Sequence, residues 1–430
     1  MNTVKVALIG FGTVGTGVAK ILLEHKERMT RATGTNVELV SICDKDTTRD
    51  RGIHLPEGLL TDNLNEILND AEISIAIELI GGLEPARTIA LSLLKAGKDL
   101  VTANKSLLAT HGPEIFDTAR SCGRLVAFEA AVGGGIPIIN AISTSLQANE
   151  LRQIQAIVNG TCNFILTAME EKGTDYESAV AEAQRLGYAE ADPTMDVDGT
   201  DTVQKLTILA HLAFGVYPNW RDILRAGIDT VEALDIVYAR RLGYRIKLLA
   251  RADATPYGVE LYVSPTLVRL HTPIAEVRDS FNIVKVVGDA VGEVELFGRG
   301  AGEMPTASAV VGDVIDTVLG RAKTTFDTLQ LWNKYRPAKT IKNPADICGK
   351  NYLRFLVEDR PGVLAEITGI LGQHGISIAS MLQEETETEG SPVTLIIMTH
   401  AAREGDTQAA IAKIDALPCT FAKTFRMRVE

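Results

Sequence analysis

The chain has 430 residues, of which 46% are hydrophobic, and its formal net charge is −12. This length accommodates two or three domains of about 150 residues each, with enough apolar side chains for real hydrophobic cores. The negative charge argues against nucleic acid or an anionic membrane surface as a partner, because their phosphate groups would be repelled. Small molecules are the favoured partners.

The five cysteines lie far apart and show no CxxC spacing, so the sequence suggests neither a disulfide framework nor a zinc site. The N-terminal residues lack the features of a signal peptide, and no apolar stretch reaches the length of about 18 residues that spans a membrane. We therefore expect no membrane association and a location in the reducing cytoplasm.

The first motif is a glycine-rich turn between a strand and a helix. Val4 to Ile9 has the composition of a buried strand, and apolar residues at helical spacing follow the turn. The turn itself reads Gly10, Phe11, Gly12, Thr13, Val14 and Gly15. Such a turn lets backbone amides and the helix dipole face a pyrophosphate. The pattern predicts a dinucleotide-binding site, although an ordinary α/β turn is the alternative.

A second strand, Val37 to Cys43, ends at Asp44 and Lys45. An acid at this position can bind the hydroxyl groups of the adenine ribose, whereas a lysine could meet a 2′-phosphate. The interval between Gly15 and this strand is longer than usual, which predicts an extended first helix.

The next elements continue the same alternation. Ile73 to Ile80 predicts a buried strand that ends before Gly81, Leu83 to Ala96 predicts a helix, and Leu100 to Thr102 predicts a strand. Ligands of such sheets bind at the carboxyl ends of the strands, which places Lys105 at the cofactor crevice. The alternative for Lys105 is a solvated lysine at the start of a helix.

After residue 129 the alternation of strands and helices is lost, which indicates a second, α+β domain. A glycine-rich hinge lies at 130–137. It is followed by a further glycine-rich loop at 298–306, by a predicted helix at 307–319 and by a predicted linker at 336–344. Strands are predicted at 151–158, 246–252, 259–268 and 283–287.

Carboxylates are concentrated in the segment that precedes a largely apolar helix. The helix is predicted for Asp201 to Phe214, and Asp201 and Lys205 share one of its faces. A desolvated lysine with one carboxylate neighbour can exchange a proton, although a structural ion pair is the alternative. Upstream, Glu190 and Asp196 suit a substrate ammonium; a solvated acidic loop or a calcium site are alternatives.

Seven motifs together resemble the homoserine dehydrogenase family, and they cover about the first 330 residues in family order. They are GFGTVGTGV, ELIGG, VTANKSLLA, FEAAVGGGIPII, VNGTCNFIL, LGYAEADPTMDVDGTDTVQKLTILA and GRGAGEMPTASAVVGD. The resemblance implies reversible hydride transfer between L-homoserine and L-aspartate 4-semialdehyde, in threonine, methionine and isoleucine biosynthesis. The implied cofactor is NADP or NAD.

The resemblance also assigns roles to single residues. Lys205 would be the general acid or base, with Asp201 orienting it and Lys105 beside nicotinamide and substrate. The residues implied to bind the substrate are Glu190, Asp196, Gly187 and Lys105. The residues implied to bind the cofactor are Gly10, Phe11, Gly12, Thr13, Val14, Gly15, Asp44, Lys45, Gly81, Lys105 and Gly302. A monovalent cation such as sodium, with a structural role, would be bound mostly by carbonyl groups of Glu129, Val132, Gly134 and Ile136.

The last 80 or so residues predict the order βαββαβ, and the sequence RPGVLAEI within them resembles an ACT domain. The resemblance implies a domain that senses an amino acid, and we expect that amino acid to be L-threonine. ACT domains pair with each other, so we expect a homodimer or homotetramer. A ferredoxin-like dimerisation domain without a ligand is the alternative.

The fold class that follows is α/β with three domains. A Rossmann-like dinucleotide-binding domain is expected at 1–130 with a return segment at about 300–335, and an α+β substrate and dimerisation domain at 131–299. A linker at 336–349 and a ferredoxin-like ACT regulatory domain at 350–430 complete the expected order.

Two other functions remain alternatives. A phosphorylating semialdehyde dehydrogenase would use Cys162 as a covalent nucleophile, but the motif around it offers no histidine that would lower the pKa of the thiol. A non-catalytic regulator would combine a nucleotide-binding core with a sensing tail. Homoserine-dependent formation of NAD(P)H separates these classes.

Overall fold

The computed structural model describes residues 2–333, 339–383 and 392–430. The helices are α1 (Thr13–Glu24), α2 (Lys26–Thr33), α3 (Leu64–Asn69), α4 (Ala86–Lys95), α5 (Lys105–Ser121), α6 (Ile138–Asn140), α7 (Gly160–Lys172), α8 (Tyr176–Arg185), α9 (Thr194–Val197), α10 (Thr200–Phe214), α11 (Ala233–Arg241), α12 (Glu303–Val318), α13 (Arg321–Leu329), α14 (Val363–Gln373) and α15 (Glu404–Asp415).

The strands are β1 (Thr3–Ile9), β2 (Asn36–Cys43), β3 (Leu60–Thr61), β4 (Ile73–Glu78), β5 (Asp99–Thr102), β6 (Val126–Ala127), β7 (Leu151–Ile157), β8 (Leu224–Arg225), β9 (Tyr244–Thr255), β10 (Gly258–Arg269), β11 (Phe281–Gly288), β12 (Gly292–Arg299), β13 (Cys348–Glu358), β14 (Ile378–Gln383), β15 (Pro392–Thr399), β16 (Ala402–Arg403) and β17 (Phe425–Val429).

The chain forms two compact units, each built from separate stretches. The first unit comprises residues 1–154, 204–222 and 281–339, and the second comprises residues 155–203, 223–280 and 340–430. Each unit therefore gathers segments that lie far apart in the sequence.

A parallel sheet in the order β3-β2-β1-β4-β5-β6 organises the first unit. Its central strand, β1, buries Val6, Ala7 and Leu8 completely, as expected of a strand covered on both faces. The strand order reverses beside β1, between β2 and β4, and such a switch point opens a ligand crevice at the carboxyl ends of the strands. The predicted Rossmann-like domain is confirmed.

The predicted single extended first helix is wrong, because two helices occupy the interval. α1 ends at Glu24, and its C-cap His25 is also the N-cap of α2; the C-cap of α2 is Gly34, with a left-handed φ of 68°. α12 lies against α1, where Lys20 Nζ and Glu303 Oε1 form an ion pair at 2.7 Å. Gly17 allows this close approach because it has no side chain: an added Cβ would lie 2.9 Å from the Glu303 side chain.

The second unit contains a mixed sheet in which the substrate-domain strands continue into the C-terminal domain. β9 and β10 form an antiparallel pair, β10 pairs in parallel with β17, and the order continues through β13 and β15 to β14. The elements β13, α14, β14, β15, α15 and β17 give the predicted βαββαβ order. α14 and α15 pack on this sheet around Leu353, Phe355 and Ile367, each fully buried.

The predicted linker is only partly a linker. Residues 334–338 lie outside the described residues, but Thr340 O accepts a hydrogen bond from Val259 N at 2.9 Å, and Lys342 N donates to Val259 O at 3.0 Å. Residues 348 and 349, expected in the linker, are the first two residues of β13. The segment that precedes the C-terminal domain is thus hydrogen-bonded to β10.

Several element boundaries also differ from the predictions. The strand predicted for 73–80 ends at Glu78, the helix predicted for 83–96 begins at Ala86, and the helix predicted for 307–319 begins at Glu303. The prediction missed β12, whose residues alternate between half-buried and exposed positions in the hairpin with β11. Glycines and charges in β12 weakened its strand signal.

Candidate active site

The glycine turn between β1 and α1 forms an open cradle at the carboxyl end of the sheet. An added Cβ at Gly15 would lie 2.1 Å from Gly10 O, and one at Gly10 would lie 2.7 Å from Leu79 O, so both positions require glycine. At Gly12 an added Cβ meets nothing within 4 Å. Gly12 is the N-cap of α1 and makes no side-chain cap, and Thr13 and Val14 begin the helix. Its first amides can therefore receive a pyrophosphate, and this chain fits a dinucleotide.

Asp44 at the end of β2 is bonded to the glycine turn itself. Phe11 N donates to Asp44 Oδ2 at 2.6 Å, and Asp46 N donates to Asp44 Oδ1 at 2.9 Å. Arg51 forms an ion pair with Asp44 at 3.4 Å, and its guanidinium lies 4.7 Å from the centre of the Phe11 ring. Arg51 was not predicted from the sequence, because it reaches Asp44 and Phe11 only when the loop after β2 folds back. The predicted Lys45 is exposed.

A buried carboxylate shapes the carboxyl ends of β4 and β5. Glu78, fully buried, accepts hydrogen bonds from Thr102 Oγ1 at 2.7 Å and from Ile80 N at 2.9 Å. Asn104 Nδ2 donates to Gly82 O at 2.8 Å, and Asn104 Oδ1 accepts from Leu107 N as the N-cap of α5. The structure thereby brings the loop containing Gly81 beside the start of α5, whose first residue is the half-buried Lys105.

Some carboxylates of the acidic loop in the second unit are hydrogen-bonded within the loop, whereas Glu190 is exposed. Gly187 lies at the end of α8 with φ 78°, and the exposed Glu190 has its carbonyl oxygen 3.2 Å from Gln184 Nε2, which donates to it. Asp192 accepts from Thr194 N at 3.1 Å at the start of α9, so it acts locally. Asp198 likewise accepts from Thr200 N at 2.7 Å.

Asp196 and Asp201 are brought together by a residue that sequence reasoning did not assign. Asn159 Nδ2 donates one hydrogen bond to Asp196 Oδ1 and another to Asp201 Oδ2, each at 2.8 Å. Asp201 is 6% exposed and begins the first turn of α10, and Lys205 follows one turn later on the same helix. The sequence signals for Asn159 were its place in the motif VNGTCNFIL and an asparagine directly before a helix, which is typical of an N-cap.

Cys162 is fully buried on α7. Its Sγ lies 3.2 Å from Asp196 O, to which the thiol donates. A buried thiol engaged with a carbonyl oxygen is a packed side chain and not an accessible nucleophile. This environment disfavours the alternative of a covalent semialdehyde dehydrogenase.

The glycine-rich hinge closes on the second glycine-rich loop. Gly135 N donates to Arg299 O at 3.0 Å, and an added Cβ at Gly134 would lie 2.5 Å from Gly300 O. Both amide atoms of Asn282, which is 1% exposed, have no hydrogen-bond partner among the described residues, and an added Cβ at Gly300 would lie 1.7 Å from Asn282 Nδ2. Gly302 is the N-cap of α12 with φ 117°.

The Glu129 carboxylate caps a helix start. Its two oxygens accept from Ile139 N at 2.8 Å and Asn140 N at 2.7 Å. Burial raises the pKa of Glu129 to about 7, against the effect of these backbone donors. Among residues 2–333, 339–383 and 392–430, no group of three or more His, Cys, Asp and Glu side chains could hold a metal ion. A cation here would depend on the carbonyl groups of residues 129, 132, 134 and 136.

Three family models match the chain in the order that the fold shows. "Homoserine dehydrogenase, NAD binding domain" matches residues 10–129, "Homoserine dehydrogenase" matches residues 137–315, and "ACT domain" matches residues 351–419. The homoserine dehydrogenase of Pseudomonas aeruginosa is 42% identical over 443 aligned positions, covering 100% of this chain and 99% of the relative. This chain belongs to the homoserine dehydrogenase family.

Other relatives agree with the family assignment. The homoserine dehydrogenase of Bacillus subtilis is 35% identical, with 100% of this chain and 99% of the relative covered. The solved structure of a homoserine dehydrogenase from Thiobacillus denitrificans has a TM-score of 0.91 at 42% identity, and covers 100% of this chain and 99% of its own. A hyperthermophilic archaeal homoserine dehydrogenase, solved in complex with NADPH, has a TM-score of 0.62 at 26% identity, covering 74% of this chain and 98% of its own.

As a member of the homoserine dehydrogenase family, this chain is an oxidoreductase. The alternative of a non-catalytic regulator is therefore excluded. The NAD-binding domain contains the glycine cradle, and the ACT domain coincides with the C-terminal βαββαβ module. Within the part of the chain that the structure describes, no helix is both long enough and apolar enough to cross a membrane.

Proposed function

We propose that this homoserine dehydrogenase transfers a hydride reversibly between L-homoserine and L-aspartate 4-semialdehyde, in the biosynthesis of threonine, methionine and isoleucine. The observation that carries the proposal is α10, which places Lys205 one turn after the buried Asp201. An ammonium on this helix can donate a proton to the alcohol oxygen, and the neutral amine can accept one in the reverse direction.

The bound nicotinamide would supply the hydride acceptor or donor, and the residues of this chain would do the rest. Lys205 would move the proton at the C4 oxygen, with Asp201 orienting it and Lys105 contacting the substrate. Glu190 would bind the substrate ammonium, and its exposed carboxylate is available for that role. Asp196 and the backbone at Gly187 would complete the substrate set.

We propose that both NADP and NAD are used. Asp44 would bind a free ribose hydroxyl, and Arg51 or Lys45 would bind a 2′-phosphate. Arg51 supports the use of NADP because its guanidinium already lies over the ring of Phe11, the second residue of the glycine turn. A guanidinium binds phosphate through several donors in a fixed plane.

A monovalent cation is proposed as a structural ligand of the glycine-rich hinge. Carbonyl oxygens of Glu129, Val132, Gly134 and Ile136 would supply hard oxygen donors of the kind that such a cation prefers. The orphaned amide of Asn282 supports the proposal, because it lies beside Gly300 in the loop that closes on Gly134. The cation would hold the two loops together and take no part in the proton transfer.

The ACT domain is proposed to bind L-threonine in a homodimer or homotetramer and to reduce activity. Support comes from the turn at Pro361 and Gly362, which begins α14 with φ 97° at Gly362 and no side-chain cap. Its amides are available to a carboxylate. Since allosteric coupling amounts to about 1–3 kcal/mol, threonine should change activity about 5- to 150-fold.

The catalytic proposal is tested with the purified protein, homoserine and either cofactor, with and without inorganic phosphate. We expect phosphate-independent formation of NADPH or NADH. Lys205→Ala should lower kcat by about 10²- to 10⁴-fold while cofactor binding survives. A near-normal kcat in this variant would remove Lys205 from the proton transfer, and a requirement for phosphate would favour the semialdehyde dehydrogenase.

The feedback proposal is tested by titrating threonine into the same assay with wild type, Gly362→Ala and Gly369→Ala. We expect Gly362→Ala to require more threonine for half-inhibition, because its turn changes, whereas Gly369→Ala within α14 should behave as wild type. Absence of inhibition in the wild type would leave the ACT domain as a dimerisation module.

A further inference from the structure

Asn159 links the two acids of the candidate site through a single side chain. It is 4% exposed and lies between β7 and α7. Its oxygen accepts from Cys162 N at 2.8 Å, and its nitrogen donates to Asp196 Oδ1 and to Asp201 Oδ2, both at 2.8 Å. Both amide hydrogens are thus directed at carboxylates that lie 37 and 42 positions further along the chain.

The amide nitrogen carries two hydrogens in a fixed plane, so it fixes the direction from which each carboxylate approaches. A donor directed at a carboxylate favours its ionised form, whereas two neighbouring carboxylates without such a donor favour protonation of one of them. One amide therefore lies between the two carboxylates and fixes them relative to each other. The same amide sets the distance between the start of α10 and the acidic loop.

The backbone that carries Asn159 is held against the segment 277–280. An added Cβ at the next residue, Gly160, would lie 2.7 Å from Ser280 O, so the chain passes close to that segment. On the next turn, Asn163 Nδ2 donates to Val277 O at 3.2 Å and to Asp279 O at 2.9 Å. These contacts anchor the N-terminus of α7, which allows Asn159 to act as a fixed reference point.

We propose that Asn159 is a positioning residue that holds Asp196 and Asp201 in register with each other. The inference rests on the proposed function, in which Asp196 contacts the substrate and Asp201 orients Lys205. Loss of the amide should therefore affect substrate binding and proton transfer together. It should also change the pH at which the acids become protonated.

Two variants separate this role from simple helix capping. Asn159→Ser keeps a good N-cap for α7, but its single hydroxyl cannot donate to both acids. Asn159→Asp keeps the cap and the shape, but replaces the shared donor with a third carboxylate. Asn63→Ser is the matched control, since Asn63 caps α3 by accepting from Asn65 N at 3.1 Å and contacts none of the proposed site residues.

Measurements of kcat, KM, their pH profiles and urea unfolding test the inference. We expect Asn159→Ser to lower kcat/KM by about 10- to 100-fold through both kcat and KM, as lost supporting contacts do. Asn159→Asp should shift the acidic limb of kcat/KM upward by about one pH unit or more. Both Asn159 variants should also lower the urea midpoint, because buried acids lose a donor, whereas Asn63→Ser should stay near wild type; the loss of kcat/KM in the Asn159 variants should exceed what the lower midpoint explains.

The inference is overturned if wild type oxidises homoserine while both Asn159 variants retain its kcat, KM and pH profile. It is also overturned if activity falls only in proportion to a lower urea midpoint and the acidic limb stays in place, because capping alone then explains the loss. A wild type without homoserine-dependent activity would instead refute the proposed function, which keeps the two failures distinct.

Discussion

Tyr352 on β13 donates its phenol hydrogen to Asp235 Oδ1 on α11 at 2.9 Å. Asp235 is fully buried, and Arg354 Nε donates to the same oxygen at 2.9 Å. Burial raises the pKa of Asp235, and the neighbouring Arg354 guanidinium opposes that rise. The ACT sheet is thus joined to a substrate-domain helix through a buried carboxylate that accepts hydrogen bonds from two side chains of β13.

Removing one of these donors should destabilise the protein measurably. Tyr352→Phe leaves a buried carboxylate with one fewer donor, and we expect the free energy of unfolding to fall by about 1.5–3 kcal/mol. Urea denaturation measures this change. Tyr257→Phe is the control, because Tyr257 is 82% exposed and its loss should change the free energy by less than about 0.5 kcal/mol. Equal effects of both variants would contradict the prediction.

The two glycines of the dinucleotide cradle should respond differently to alanine. Gly15→Ala places a Cβ 2.1 Å from Gly10 O and should lower the free energy of unfolding by about 1–3 kcal/mol. Gly12→Ala meets nothing within 4 Å, so the fold should survive, but the methyl would occupy space for the pyrophosphate. We expect the cofactor Kd to rise about tenfold or more, as measured by fluorescence titration. A Gly12→Ala protein with unchanged Kd would place the pyrophosphate elsewhere.

Cofactor choice should depend on the Asp44 and Arg51 pair. Arg51→Ala removes the guanidinium near the predicted 2′-phosphate position, and we expect it to lower kcat/KM for NADP by about tenfold or more relative to NAD. Asp44→Ala should shift the ratio towards NADP, because the carboxylate repels a phosphate. Lys45→Ala serves as the comparison for an exposed base in the same loop. An NADP:NAD ratio that stays constant in Arg51→Ala would exclude this arginine from recognition.

His211 should make stability depend on pH. It is 3% exposed, its Nδ1 lies 2.8 Å from Val216 O, and its Nε2 accepts from Trp332 N at 2.8 Å. Burial lowers its pKa from 6.5 to about 4, so the unfolded chain binds this proton more readily. The stabilisation is therefore complete above pH 6.5 and decreases as the pH falls towards 4.

For this group alone, the free energy of unfolding should be about 2 kcal/mol lower at pH 5 than at pH 7. The measurement compares urea unfolding at both pH values in wild type and His211→Asn, which should lose this part of the pH dependence. His25→Asn, at an exposed position between α1 and α2, should retain it. The same pH dependence in all three proteins would show that His211 does not titrate as described.

Glu190 should act on substrate binding more than on the chemical step. Glu190→Gln keeps the size of an exposed side chain but removes the charge proposed to bind the substrate ammonium. We expect KM for homoserine to rise about tenfold or more with a smaller change in kcat. Asp192→Asn is the control, since Asp192 is bonded to Thr194 within the same loop. A KM that stays at the wild-type value would show that Glu190 is a solvated loop residue that does not bind the substrate ammonium.

Much of the fold follows from local signals in the sequence. The apolar run before Gly10 and the helical spacing after Gly15 specify a strand, a turn and a helix without long-range information, and the βαββαβ order of the ACT domain follows in the same way. Breaks such as that between α1 and α2 are harder to predict, because the charged residues around His25 are compatible with either one helix or two.

The site itself was only partly accessible to sequence reasoning. The spacing of Asp201 and Lys205 on one helix is a local property, so it could be predicted. The contact of Arg51 with Phe11 depends on how a polar loop folds back, and the bonds of Asn159 join residues about forty positions apart. Neither leaves a periodic pattern, because tertiary contacts and not local preferences select these side-chain partners.

The parallel pairing of β10 with β17 limits how freely this ACT domain can be exchanged between enzymes. Thr266 and Leu267 pair with Arg428 and Val429, and Glu430 N donates to Leu267 O at 3.1 Å. A chimaera that replaced the ACT domain with an unrelated sensor would leave the edge of β10 with unpaired amides and carbonyls, a template for aggregation. A functional transplant must therefore carry a final strand that matches the β10 register.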